Sequence, residues 1–181
     1  SKGFTEGPAI GPDGSVYFSD IDHSVILQYD SVSDKTSVWI ENSRTSNGLL
    51  IQDNNLYACE ATGRAVVRYD LAVGEDSRKI IASHYKGKQF GSPNDLTIVE
   101  GKLYFSEFWL GGRLNPLDEE REIFTNRIYQ VTLNNLSVEP VEYAFEVPNG
   151  VAASPDGRKI YMGDIRTNLV YEGNMENGKL P

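Results

Sequence analysis

Cysteine is nearly absent from this chain of 181 residues. Cys59 stands alone, so no disulfide closes within the chain and the redox compartment is left open. No base lies beside it in sequence, and a thiol in a strand core is the reading it supports. Histidine is scarce too: His23 and His84 are the whole supply, too few soft ligands for a zinc or copper centre. No Gly-x-Ser-x-Gly motif occurs, which sets aside a Ser-His-Asp hydrolase. Basic residues are outnumbered, 17 Lys and Arg against 26 Asp and Glu, for a formal charge of −9. That balance argues against an electrostatic grip on nucleic acid, which needs clustered cations. It suits solubility and the attraction of cations. No apolar run approaches the ~18 residues of a membrane crossing, and no segment reads as a signal peptide, so none is expected here. The chain opens at Ser1 without methionine, compatible with a mature, trimmed or partial chain. A sustained apolar period of 3.6 with helix caps is also missing.

Short strand-like segments remain, and they repeat. Four heads, Glu6-Gly7, Asn47-Gly48, Asn94-Asp95 and Asn149-Gly150, lie 41, 47 and 55 residues apart. Each leads to a tyrosine ten to twelve residues on (Tyr17, Tyr57, Tyr104, Tyr161), and then, three further, to an acid (Asp20, Glu60, Glu107, Asp164). A second strand-like patch closes each unit: Ile26 to Asp30, Val66 to Asp70, Arg127 to Val131, Leu169 to Gly173. Turns at Pro12-Asp13-Gly14, Asp53-Asn54, Glu100-Gly101 and Pro155-Asp156-Gly157 precede the tyrosine strands. Proline presets φ there and glycine accepts positive φ, so hairpins are expected. Beta-branched and aromatic residues fill the strands that follow.

A period of this length predicts an all-β chain built as propeller blades of about four strands. One domain over 1–181 is expected, with blades near 4–44, 45–90, 91–146 and 147–181, the last incomplete. The third is longest because Phe108 to Asn126 is inserted between its strands, where long loops tend to sit over a site. Open edges on an unfinished ring are a route to self-association.

In a propeller the residue just before each innermost strand faces the mouth of the central channel. One carboxylate and several amide oxygens meeting there make a hard-oxygen cage of the kind Ca²⁺ accepts. Taken singly, Asn-Gly marks nothing more than a turn. Identical placement in each unit gives the four heads a common direction. Glu60, Glu107 and Asp164 sit deeper along their strands, where they either line the channel or close it with hydrogen bonds. Asp95 either supports Asn94 or caps a turn.

Phe4-Thr-Glu-Gly-Pro8, Ser46-Asn-Gly-Leu49, Gly91-Ser-Pro-Asn-Asp95 and Val147-Pro-Asn-Gly-Val151, in this order, resemble successive blades of the gluconolactonase and regucalcin (senescence marker protein) family. Ala58-Cys-Glu60 with Gly63-Arg64, and Ser154-Pro-Asp-Gly157, fit the same pattern. The resemblance covers essentially the whole chain. It implies a six-bladed β-propeller, of which about four blades are present, and a lactone- or ester-opening hydrolase with a divalent cation, usually Ca²⁺, on its axis. It implies Glu6, Asn94 and Asn149 as metal ligands and Asn47 as a pocket residue that does not bind the metal. Glu107 and Trp109 join Asn47 as expected substrate contacts. The family's fourth ligand, an aspartate that also serves as base or nucleophile, is expected past Pro181, so no catalytic residue is assigned here. Ser92 stands where regucalcin-type members carry an arginine for sugar-acid oxygens, which favours the bacterial gluconolactonase-like branch. A small-molecule lactone or ester is the expected partner, with neither nucleic acid nor membrane. The alternative is a non-catalytic propeller that binds a small ligand or a protein.

Overall fold

Four antiparallel meanders follow one another along the computed structural model, which describes residues 3–107, 122–123 and 125–176. The first joins β1 (Thr5–Ile10), β2 (Val16–Asp20), β3 (Val25–Asp30) and β4 (Lys35–Ile40), hydrogen-bonded in chain order. The second repeats this with β5 (Ser46–Gln52), β6 (Asn55–Glu60), β7 (Ala65–Asp70) and β8 (Lys79–Ala82). A two-stranded hairpin, β9 (His84–Tyr85) and β10 (Lys88–Gln89), stands between the second and third sheets. The third sheet is β11 (Pro93–Val99), β12 (Lys102–Glu107), β13 (Arg127–Thr132) and β14 (Ser137–Pro140). The fourth has three strands, β15 (Pro148–Ala153), β16 (Lys159–Asp164) and β17 (Leu169–Asn174). The first strand of each sheet packs against the first strand of the next, which places β1, β5, β11 and β15 innermost. Among the described residues no helix is long and apolar enough to cross a membrane.

The turns form as their residues dictate. Asp53 and Asn54 have φ of 49° and 59°, and Glu100 and Gly101 have 48° and 73°. Two successive positive values give the two-residue hairpin whose twist matches the flanking strands. Gly14 and Gly157 take φ of 82° and 68° after their Pro-Asp pairs. The β9–β10 hairpin uses Lys86 and Gly87, at 49° and 77°. It was not expected, because its strands are too short to show a period.

The core lies between sheets. Leu56, Ala58, Val67 and Tyr69 of the second sheet pack with Tyr17, Ile26 and Ile40 of the first. Tyr57, Cys59 and Val66, on its opposite face, pack with Leu96, Phe105 and Tyr129 of the third. Both faces being buried, these strands carry near-continuous apolar runs rather than a strict alternation. Phe90 wedges into the same layer, with ring centroids 5.0 Å from Phe105 and 5.1 Å from Tyr129. Tyr17, Tyr57 and Tyr104 are 4%, 9% and 0% exposed, whereas Tyr161, at the same place in the fourth sheet, is 36% exposed. Val170, which the register puts on the same face, is exposed as well. The fourth sheet thus shows an apolar face that each earlier sheet covers with its successor.

The acids that end the second strands of the third and fourth sheets hold the chain segments leading into those sheets. Glu107 is buried and its Oε1 accepts the N–H groups of Gly91, at 2.6 Å, and Ser92, at 2.9 Å. A fully desolvated carboxylate needs such partners, and these bonds tie Glu107, expected as a substrate contact, to the chain. Glu60 is buried and bound by Arg78 through two nitrogens, at 2.8 and 2.5 Å, and by the Tyr69 hydroxyl at 2.8 Å. Asp20 accepts from the backbone N–H of His23, and the His23 Nδ1 lies 2.8 Å from its Oδ1. Asp164 accepts from Glu146 and Val147 at 2.7 and 3.2 Å, and from Arg166 and Thr167 at 3.0 and 3.2 Å.

Burial pushes the Asp164 carboxyl pKa up, but the four N–H bonds outweigh it and hold the group below its ordinary value of 3.8. A depressed folded value means that the stabilisation is complete above the unfolded value and is lost as pH falls through the folded one. Asp164→Asn is therefore expected to lower unfolding free energy in urea by about 1–3 kcal/mol at pH 7. The gap from wild type should narrow as pH drops below about 4. A gap that does not change with pH would show that the carboxylate charge has no part in it.

Candidate metal and substrate site at the inner-strand heads

Every inner strand carries the same irregularity at its head. Pairing of β1 with β2 steps from Glu6↔Ser19 to Ala9↔Tyr17, three residues on one strand against two on the other. The same step separates Ser46↔Glu60 from Leu49↔Ala58, Pro93↔Glu107 from Leu96↔Phe105, and Pro148↔Asp164 from Val151↔Met162. One extra residue is a β-bulge, which breaks the ladder locally and re-aims the side chains around it. The four heads sit at these bulges, so all four are turned by one device.

The heads also crowd one another. A Cβ on Gly7 would lie 2.7 Å from Leu49 N and 2.8 Å from the Cα of Gly48, and Gly7 itself takes φ of 59°. A Cβ on Gly48 would lie 2.7 Å from the Asp95 Cα and 2.8 Å from the Asn94 carbonyl oxygen. Glycine after the head is thus required where the first three inner strands meet, for close backbone approach as well as for the turn. In the third sheet Asp95 takes the glycine's place. Its side chain spans toward the fourth sheet, where Oδ2 accepts the Val151 N–H at 2.9 Å. Its Oδ1 accepts the Leu96 N–H at 2.9 Å. Burial raises the Asp95 pKa, the two N–H bonds oppose that, and the Glu6 charge raises it further.

Glu6, Asn47, Asn94, Asp95 and Asn149 line one cavity of about 270 Å³. Glu6 is exposed at its mouth, Asn47 and Asn149 are half-buried, and Asn94 is buried. Among the described residues, no hydrogen bond reaches the side chains of Glu6, Asn47, Asn94 or Asn149. Four oxygen-bearing side chains thus face one space with their donors and acceptors unspent by any described residue; Asn94 is buried as a residue, but its amide atoms stay open to the cavity. No group of three or more His, Cys, Asp and Glu able to hold a metal occurs among the described residues. A cation here would rely on amide oxygens beside one carboxylate, and Glu6, Asn94 and Asn149, the expected ligands, all line this space. Asn47 lines the same space. Glu107 is not among the residues that line it, and Trp109 lies outside the described residues. Ser92 adds no cation to the cavity.

Two contributors were not foreseen. Ser19 Oγ donates to the Asn47 carbonyl at 2.8 Å, and Ser106 Oγ donates to the Asn149 carbonyl at 2.5 Å. Each belongs to the sheet before the head it holds. Their signal in the sequence is weak but real: both directly precede a strand-end acid.

A family model described as SMP-30/Gluconolactonase/LRE-like region matches residues 4–180. The chain belongs to this family. A gluconolactonase from Zymomonas mobilis subsp. mobilis (strain ATCC 31821 / ZM4 / CP4) is 31% identical over 142 residues, covering 75% of this chain and 38% of that protein. A solved gluconolactonase from Xanthomonas campestris superposes with a TM-score of 0.86 at 22% identity, over 99% of this chain and 61% of that one. A regucalcin from Agrobacterium tumefaciens str. C58, described as a calcium-binding protein, gives a TM-score of 0.71 at 19% identity, over 98% and 56%. The four sheets are therefore blades of a β-propeller of the six-bladed gluconolactonase type, present in part. The chain spans 38% of the curated relative's length and 61% and 56% of these two solved structures.

The crowding gives a direct test of this SMP-30/gluconolactonase-type arrangement. Gly48→Ala is expected to cost about 1–3 kcal/mol in denaturant unfolding, because the backbone of Asp95 and Asn94, as well as the Asp95 carboxylate, meets the new methyl. Gly150→Ala, whose nearest neighbour would be Asp95 Oδ2 at 3.8 Å, should stay within about 0.5 kcal/mol of wild type. Equal effects at the two positions would contradict the close approach of β5 and β11.

Proposed function

We propose that the chain forms much of the site of a calcium-dependent lactonase, which opens a lactone or related ester by metal-assisted hydrolysis. The observation that supports this is the convergence of Glu6, Asn47, Asn94 and Asn149 on one cavity with no described residue bonded to their side chains. The donor set is hard oxygen throughout, and Ca²⁺ takes six to eight such ligands with modest demands on geometry. Glu6, Asn94 and Asn149 would hold the ion, and Asn47 would face the substrate. Held there, a divalent cation would supply Lewis acidity toward the substrate carbonyl.

The residues of this chain would mainly bind and orient. Glu6 brings the negative charge that selects a cation. The amide NH₂ groups of the three asparagines are left to donate to ring or hydroxyl oxygens of the substrate. Asp95 is the other acid at the cavity, but both its oxygens accept backbone N–H bonds, so it braces the wall rather than attacks. The carboxylate that activates water is assigned to the part of the relatives' length that this chain does not span. Trp109, in the insertion after β12, is proposed as a pocket wall. A second reading, a propeller that binds a ligand without turning it over, draws support from one observation. Among the described residues, no carboxylate at the cavity other than Glu6 is free to act.

Calorimetry with Ca²⁺ should give a binding isotherm for wild type, and Glu6→Gln should weaken it by about tenfold or more, since ligand charge sets affinity. Silence from both proteins would sink the cage. The intact gene product with Ca²⁺ should release acid from a lactone panel in a pH-stat. Binding without acid release would favour the second reading.

A further inference from the structure

Ser19, Cys59, Ser106 and Gly163 occupy one position of the repeat, directly before the strand-end acid. Ser106 is the one that ties two of the three candidate metal ligands together. Its side chain is wholly buried. Its Oγ accepts the Asp95 N–H at 3.1 Å and donates its own hydrogen to the Asn149 carbonyl at 2.5 Å. Asp95 returns across the same gap, its Oδ2 accepting the Val151 N–H at 2.9 Å. The residue after Asn94 is thus linked to the backbone of Asn149 on one side of the fourth sheet's bulge and to Val151 on the other. Two bonds across one gap resist both sliding and opening of β15 against β11. Between the second and third sheets Cys59 takes this position, and a thiol is a far weaker donor than a hydroxyl. Gly163 offers none.

We propose that Ser106 is a positioning residue of the cation site. It fixes the separation of the Asn94 and Asn149 heads so that both amide oxygens meet one ion. The inference rests on the metal reading of the cavity given above. It assigns to the hydroxyl a role beyond satisfying a buried carbonyl: bulged backbone has lost its ladder bonds, and the Ser106 bridge stands in for them at the point where two ligands must be held in register.

The test is a terbium luminescence titration, with Ca²⁺ competition, of wild type, Ser106→Ala and Ser106→Thr, alongside melting in chelator. Loss of a group that orients a metal ligand typically lowers affinity by about 10- to 100-fold, and that loss is expected for Ser106→Ala. Ser106→Thr keeps the hydroxyl and should recover affinity to within about threefold of wild type. Ser106→Cys keeps the volume but weakens the donor, and should lose affinity as alanine does; it decides the matter if threonine proves too large to fold. Should Ser106→Ala melt lower in chelator yet bind terbium within about twofold of wild type, the residue is structural only and the inference is overturned. No terbium binding by wild type overturns the metal reading itself, and the inference with it.

Discussion

The inner strands of successive blades approach so closely at their heads that backbone meets backbone, and most of what is particular to this chain follows from that contact. Gly7 and Gly48 are there because no Cβ fits against Leu49 N or the Asn94 carbonyl. Strands this close cannot all continue regular pairing with their own second strands while also turning toward the axis. Each inserts one extra residue at the same register. The bulge interrupts the ladder at the head and aims Glu6, Asn47, Asn94 and Asn149 at a common space. Below the bulge, pairing resumes and the tyrosines return to the layer between blades.

Charge placement obeys the same geometry. The ladders of the third and fourth sheets begin at Pro93↔Glu107 and Pro148↔Asp164, so the backbone leading into them has no strand partner. The buried acids answer this: Glu107 takes the N–H groups of Gly91 and Ser92, and Asp164 those of Glu146 and Val147. A buried carboxylate is tolerable only when so paired. Two populations of oxygen result at one end of the propeller. The strand-end acids are committed to the fold, while the heads are left uncommitted by any described residue. Asp95 stands between the two groups, on the cavity wall yet bonded on both oxygens. The candidate function rests on that division.

How much of this could be read beforehand depended on whether the cause was local. Hairpins at Asp53-Asn54 and Glu100-Gly101 are two-residue events written in their own φ preferences, and the head-to-tyrosine-to-acid spacing is fixed by strand length. Both were legible, as was the all-β propeller. The commitment of Glu107 was not settled by sequence. Its partners lie sixteen and fifteen residues away and are backbone groups, which have no side-chain signature. The Ser106 contact with Asn149, across 43 residues, was hidden for the same reason. The β9–β10 hairpin is two residues per strand, below the length at which a period exists. Asp95 sat at a glycine position of the repeat, a departure visible in the sequence whose meaning needed the fourth sheet beside it.

The central claim is that uncommitted head oxygens, aimed by the bulges, form a cation cage. Anomalous diffraction from crystals of this chain grown with terbium measures it most directly. The account predicts one strong peak in the cavity between the inner-strand heads, with side-chain oxygens of Glu6, Asn94 and Asn149 at about 2.3–2.6 Å. A peak elsewhere with the cavity empty, or those side chains turned onto protein groups, would contradict it.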